Sequence, residues 1–161
     1  MHSRIFQISE KPIYREDYID EEKYYESFVG EIADYVDDTT DRESDISWLK
    51  SYLEKTGSAK FDGDKFTIVD KAEYFKPKLK DFLSAMKRIV ADLNDDPAVF
   101  YDGGYKFDLS VYDMQSAYED KFAFYVDDNG EYAGLETLDS FMRRVNNGDT
   151  FYIGATIDYH F

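Results

Sequence analysis

Phe151-Tyr152-Ile153-Gly154-Ala155-Thr156-Ile157-Asp158-Tyr159-His160-Phe161 alternates along its length, so that Phe151, Ile153, Ala155, Ile157 and Tyr159 share one side. A period of two is the mark of a half-buried β-strand, because successive side chains point to opposite faces of a sheet. The spacing therefore predicts a strand at 151–161. At the other end of the chain, Arg4-Ile5-Phe6-Gln7-Ile8 predicts a short strand ended by Glu10-Lys11-Pro12. Residues 59–61 and 65–69 flank Asp62-Gly63-Asp64, a tight-hairpin signal, and residues 122–126 and 131–135 flank a second one centred on Asn129-Gly130. Residues 98–101 and 105–107 read as further short strands around Gly103-Gly104.

Between these stretches the period lengthens. After Asp20, an N-cap candidate followed by Glu21 and Glu22, the residues Tyr25, Phe28, Val29, Ile32, Ala33 and Val36 recur at helical spacing and predict a core-facing helix of about 17 residues. Thr40-Asp41-Arg42-Glu43 fits a capping box, in which the threonine and glutamate side chains satisfy each other's free backbone donors. The helix it opens carries Ile46, Leu49 and Leu53 and is stopped by Gly57. Pro77 suits the first position of a third helix with the amphipathic stripe Leu79, Phe82, Leu83, Met86, Ile89, Val90 and Leu93, of which Phe82, Leu83, Met86, Ile89 and Val90 are expected to be buried. The outer face of that helix holds Lys78, Lys80, Lys87 and Arg88, a local basic surface. Ser110 opens a short helix through Tyr118, and Thr137-x-x-Ser140 opens another carrying Leu138, Phe141, Met142 and Val145. Hairpins and helices without regular βαβ alternation predict an α+β fold. The expectation is one domain over residues 1–161, a mostly antiparallel sheet with hairpins packed against about four to five helices.

Composition narrows the function. Leu, Ile, Val and Phe make up 39 of 161 residues, above the roughly 20% below which a highly charged chain stays disordered. The chain has no cysteine, which excludes disulfides, thiolate nucleophiles and cysteine-bound metal centres. No signal-like apolar segment opens it, and no apolar run approaches the ~20 residues of a membrane span, so the expectation is a soluble cytoplasmic protein. Nineteen basic residues against 35 acidic ones give a net charge of −16. A field of that sign repels nucleic-acid phosphates and anionic lipid, so the expected partners exclude nucleic acid and membrane.

The candidate chemistry is sparse. Asp62-Gly63-Asp64 reads as a turn rather than a cation site. Asp127-Asp128-Asn129-Gly130-Glu131 resembles part of a calcium loop, but aligning Gly130 with the loop's glycine puts Tyr125 where the leading aspartate is required, and a type I′ turn accounts for it instead. His160 shares a strand face with Asp158 and could serve as a base, yet no nucleophile motif accompanies it. Phosphate-binding glycine loops and His-Glu-x-x-His are absent. No cofactor or metal is expected.

Two features remain: the acidic run Asp37-Asp38-Thr39-Thr40-Asp41-Arg42-Glu43-Ser44-Asp45, and the 18% of residues that are aromatic, rich in the tyrosines favoured at interfaces. In composition the chain resembles nucleic-acid mimics, which place carboxylates where phosphates would lie. The expected function is a non-enzymatic binding protein engaging a basic protein surface, with Asp37, Asp38, Asp41, Glu43 and Asp45 as the binding residues. The alternatives are a small hydrolase or ligand-binding domain with a pocket of aromatics and carboxylates, or a structural homo-oligomer.

Overall fold

The alternating C-terminal stretch forms the longest strand of the sheet, β7 (Thr150–His160). In the computed structural model, which describes residues 1–161, β7 is flanked along most of its length by β1 (His2–Ser9), running antiparallel with Ile5 opposite Ile157. Its other edge takes β4 (Lys65–Ile68) at Thr150–Tyr152 and the short β2 (Tyr35–Asp37) at Asp158–His160. β3 (Ala59–Asp62) pairs with β4, and β5 (Tyr125–Asp127) and β6 (Leu135–Thr137) extend the sheet beyond β1. All seven strands pair antiparallel except β1 with β5. With five α-helices the fold is α+β. No helix is long and apolar enough to cross a membrane.

By density of contacts the chain divides into two compact units: Met1–Tyr74 with Lys121–Phe161, and Phe75–Asp120. The first holds the sheet, helix α1 (Arg42–Thr56) and helix α5 (Leu138–Arg144). One cluster of its core joins Ile5, Ile157 and Tyr159 to Tyr24, Phe28 and Tyr125, with Phe28 set edge-on to Tyr125 and Tyr159 at 5.0 and 5.1 Å between ring centres. Elsewhere in this unit Phe141 of α5 packs on Phe66 and Phe151. Ile46, Leu49 and Leu53 of α1 are buried as their spacing predicts, and Gly57 ends the helix at φ 79°.

A bulge sits where β1 crosses β7, between Phe6 and Ile8. Gln7, buried there, accepts from the amides of Ala155 and Ile19 and donates to the carbonyl of Asp17, so its side chain stands in for the interrupted ladder. The β7 edge between β4 and β2 is covered by side chains. Arg42 donates to the carbonyls of Ile153 and Gly154, each at 2.6 Å, and the Thr40 hydroxyl donates to the carbonyl of Thr156 at 3.1 Å.

Several expectations are corrected here. Residues 20–36 form no long helix: a 3₁₀ turn at Glu21–Tyr24 leads through further turns to β2. Phe28, Ala33 and Val36 still point inward, but Tyr25, expected with them, is exposed and Tyr24 is buried in its place; Gly30 turns the chain at φ 90° and the ladder of β7 captures Tyr35–Asp37. The capping box does not form. Asp41 is the N-cap of α1, accepting from Ser44, because the Thr40 hydroxyl is engaged on β7. The second hairpin is wider than expected. Asn129 and Gly130 do take positive φ (56° and 83°) with a bond from the Glu131 amide to the Asp128 carbonyl, but a loop follows before β6 begins at Leu135. The Asp128 carboxylate holds that loop by accepting from the amides of Gly130, Tyr132, Ala133 and Gly134.

In the second unit lies most of helix α2 (Lys71–Asp95), with α3 (Val99–Asp102) and α4 (Tyr105–Tyr118). Residues 98–107 are therefore helical rather than strands, and Gly103, at φ 76°, separates two helices. α2 begins six residues before Pro77, where Asp70 and Asn147 accept from the free amides of Ala72 and Lys71. Its stripe is only partly covered. Ala85 is buried and Phe82 and Ile89 are half-buried, but Leu83, Met86 and Val90, expected in the core, are exposed.

Candidate functional site

The acidic run falls around the edge strand β2 and the start of α1. Asp37 ends β2, where its carboxylate accepts from the Thr39 amide at 2.7 Å and the Thr39 hydroxyl at 2.5 Å. These bonds stabilise the charged form and hold the Asp37 carboxyl below its ordinary pKa. Glu21 approaches from the 3₁₀ turn, with one oxygen accepting from the Asp38 amide at 3.2 Å and the other from the Tyr25 hydroxyl at 3.3 Å. The carboxylates of Glu21, Asp37 and Asp38 thus lie within 4.8 Å of one another, and none is ion-paired to a lysine or arginine of the chain. The Tyr25 phenol is raised above its ordinary pKa by desolvation first, and then by Glu21, Asp37 and Asp38. Tyr25 and Tyr35 are both exposed, so aromatic surface lies in the same region as the acids.

Of the five expected binding residues, Asp37 is half-buried and Asp38, Asp41 and Glu43 are exposed. Asp45 is corrected. It is 2% exposed, facing Arg4 at 2.6 Å, and serves the interior of the sheet unit instead of a surface partner. Arg4 also bonds Asp158, which in turn faces His2, so Asp158 is not the partner of His160. His160 stacks on Tyr35 at 5.2 Å and points Nδ1 at Asp34, 3.1 Å away. Asp62-Gly63-Asp64 makes the β3–β4 turn, with Gly63 at φ 63°.

Glu21 was missed as a site residue, since sequence reads it as a helix-start acid and nothing local signals its approach to residues 37 and 38. The adjoining cleft was missed as well. About 560 Å³ in volume, it is lined by Arg15, Tyr18, Asp20, Asp38, Thr40 and Arg42. Arg42 lies over the Tyr18 ring at 5.5 Å and bonds Asp64, so its guanidinium is largely committed to the fold.

Such a surface can accept hydrogen bonds and cationic groups. Comparison with protein-family models, with curated proteins and with solved structures found no match to this chain.

Proposed function

We propose that the chain is a non-enzymatic binding protein whose acidic β2 edge engages a basic surface on another protein. The observation that carries this reading is the convergence of Glu21, Asp37 and Asp38, none of them ion-paired within the chain. Three carboxylates held together repel one another, and an incoming lysine or arginine relieves that repulsion while gaining charge-assisted hydrogen bonds. Asp41 and Glu43 extend the field along the start of α1.

The test is binding of basic proteins from a lysate by the immobilised chain at low and at high salt. It is made with wild type and with a variant carrying Asp37→Asn, Asp38→Asn and Asp41→Asn. Neutralisation is expected to slow association by roughly tenfold at low salt and to have little effect at high salt, where the Debye length is short. Asp45 is left intact because it is internal. Equal retention by both proteins at low salt would refute the proposal.

A second reading, a ligand-binding domain or small hydrolase, is favoured by the cleft, whose 560 Å³ falls within the roughly 300–1,000 Å³ of small-molecule sites. The pair Arg15→Ala and Tyr18→Ala separates the two. Under the first reading it leaves binding of basic proteins in place; under the second it removes thermal stabilisation by any small molecule that binds the cleft.

A further inference from the structure

The chain has two histidines, and the sheet sets them side by side. His2 of β1 lies directly opposite His160 of β7 in the antiparallel register, and Tyr35 of β2 lies opposite His160 on its other edge. Residues paired in this way carry their side chains on one face, with Cβ atoms about 4.5–5.5 Å apart. The two imidazole rings stand 5.0 Å apart between centres, inclined at 68°. Tyr35 stacks on the His160 ring and meets the His2 ring edge-on at 6.3 Å, so the pair has an aromatic support on one side. With side chains 55% and 33% exposed, both rings can be reached from solvent.

Each ring also has its proton placed by a neighbour. Nδ1 of His2 is 2.7 Å from the Asp158 carboxylate, and Nδ1 of His160 is 3.1 Å from that of Asp34. An ionised carboxylate only accepts, so each Nδ1 donates and the lone pair of each neutral ring stands on Nε2. Nε2 of His160 accordingly accepts from the Met1 nitrogen, 3.2 Å away, so a positive group is already held there. Imidazoles whose Nδ1 donates to a carboxylate while Nε2 is left as a ligand are the usual arrangement around a bound metal ion. The spacing of the rings agrees. A cation about 2.0–2.1 Å from Nε2 lies about 3.2 Å from the ring centre, so two imidazoles on one tetrahedral ion have centres about 5.2 Å apart. The observed 5.0 Å is close to that separation.

We propose that His2 and His160 hold one divalent cation of the zinc, copper and nickel class through their Nε2 atoms, with Asp158 and Asp34 orienting the rings and water completing the coordination. Imidazole nitrogen selects such ions over magnesium and calcium, which take oxygen ligands. The chain's net charge of −16 raises the concentration of cations near its surface. An ion bound here ties β1 to β7 at the end of their ladder, and because the pair is assembled only by folding, its binding stabilises the folded chain. The acidic cluster of Glu21, Asp37 and Asp38 is a separate set of ligands, all oxygen, and the proposal does not depend on it.

Calorimetric titration of the whole, untagged chain with zinc chloride in excess magnesium tests this. One zinc ion is expected to bind per chain and to raise the melting temperature. His2→Ala and His160→Ala are each expected to abolish that binding, with circular dichroism confirming that the variants keep their fold. Asp34→Ala, which keeps both imidazoles, is expected to weaken it about tenfold. Asp37→Asn with Asp38→Asn should leave zinc affinity within about twofold, since it changes only the surrounding field, so failure here and failure of the acidic binding surface are separate results. A Gly-Ser extension ahead of Met1 is also expected to keep the binding, which rests on the two rings. Nitrogen-15 NMR of the wild-type histidines needs no substitution: both rings should carry their proton on Nδ1, and both Nε2 signals should shift with zinc. Binding kept in either histidine variant, binding unchanged by Asp34→Ala, binding lost on neutralising Asp37 and Asp38 or on extending the chain, or a proton on Nε2 of either neutral ring overturns the proposal.

Discussion

A methyl group on Gly154 would stand 2.3 Å from Oε1 of Gln7, 2.8 Å from its Cδ and 2.9 Å from Cγ2 of Ile13. Gln7 cannot yield without breaking its bonds to residues 17, 19 and 155, so Gly154→Ala is expected to cost about 1–3 kcal/mol in urea melts. An unchanged midpoint would mean that the bulge adjusts. Arg4 and Asp45 pose a sharper dependence, since side chains 14% and 2% exposed share the charge. Arg4→Met leaves Asp45 internal without its cation and is expected to cost about 3–5 kcal/mol by the same assay. Tyr24 and Tyr74 bear on pH. Burial first, then Asp127 for Tyr24, and Tyr52 with Asp139 for Tyr74, push both phenols well above their ordinary pKa. A raised folded-state pKa gives stability that is full below the unfolded value of about 10 and is lost as pH rises toward the folded one. Alkaline titration should therefore show these two tyrosines ionising only together with loss of far-UV circular dichroism. Ionisation of all 15 tyrosines in a still-folded chain would contradict it.

Among the elements, α2 and α4 differ from the strands in how little they bury. Phe82 is only half-buried, so Phe82→Ala is expected to cost about 1–2 kcal/mol, against about 3–5 kcal/mol for Phe141→Ala in the sheet unit. Native-state hydrogen exchange should likewise release the amides of α2 beyond Tyr74 and of α4 before those of β1 and β7; the reverse order would mean that Leu79, Leu83, Met86 and Val90 are covered in solution. The same contrast explains what could be read from sequence. β1, β7, the β3–β4 hairpin, α1 and α5 were legible because each carries its own period and a local boundary signal, such as Gly57 at the end of α1 or the Thr137 cap at the start of α5. The segment from Asp20 to Val36 was not, because its apolar spacing suits a helix while the pairing of Tyr35–Asp37 is decided by β7, more than a hundred residues away. The α2 stripe has a correct period, but period alone does not say what covers it. At the site, Asp37, Asp38 and Asp41 were visible as a charged run. Glu21 joined them only through chain closure, and Asp45 turned inward because Arg4 on β1 waits for it.

Across the molecule the charge is uneven. The sheet unit holds 26 acidic and 13 basic residues, a net of −13, and the helical unit 9 and 6, a net of −3. Self-repulsion in the sheet unit weakens as salt is added. Raising sodium chloride from low to half-molar is expected to lift the melting temperature, with a gain of about 1–2 kcal/mol appearing as a rise of roughly 2–8 °C. A fall in melting temperature would mean that the native ion pairs, such as Arg4 with Asp45 and Lys23 with Asp127, outweigh the repulsion.

The placement of β7 also governs the order of events at the ribosome. Its three sheet neighbours, β1, β2 and β4, are all synthesised before it, yet each must wait for Thr150–His160 before its edge is paired there. At roughly 5–20 residues per second, the first strand spends several seconds without its longest partner, while α1 and the β3–β4 hairpin can already form from local contacts. A released fragment ending short of residue 150 should thus be cut by protease throughout β1, and one that includes Thr150–His160 should be protected there, with no partly protected form between the two.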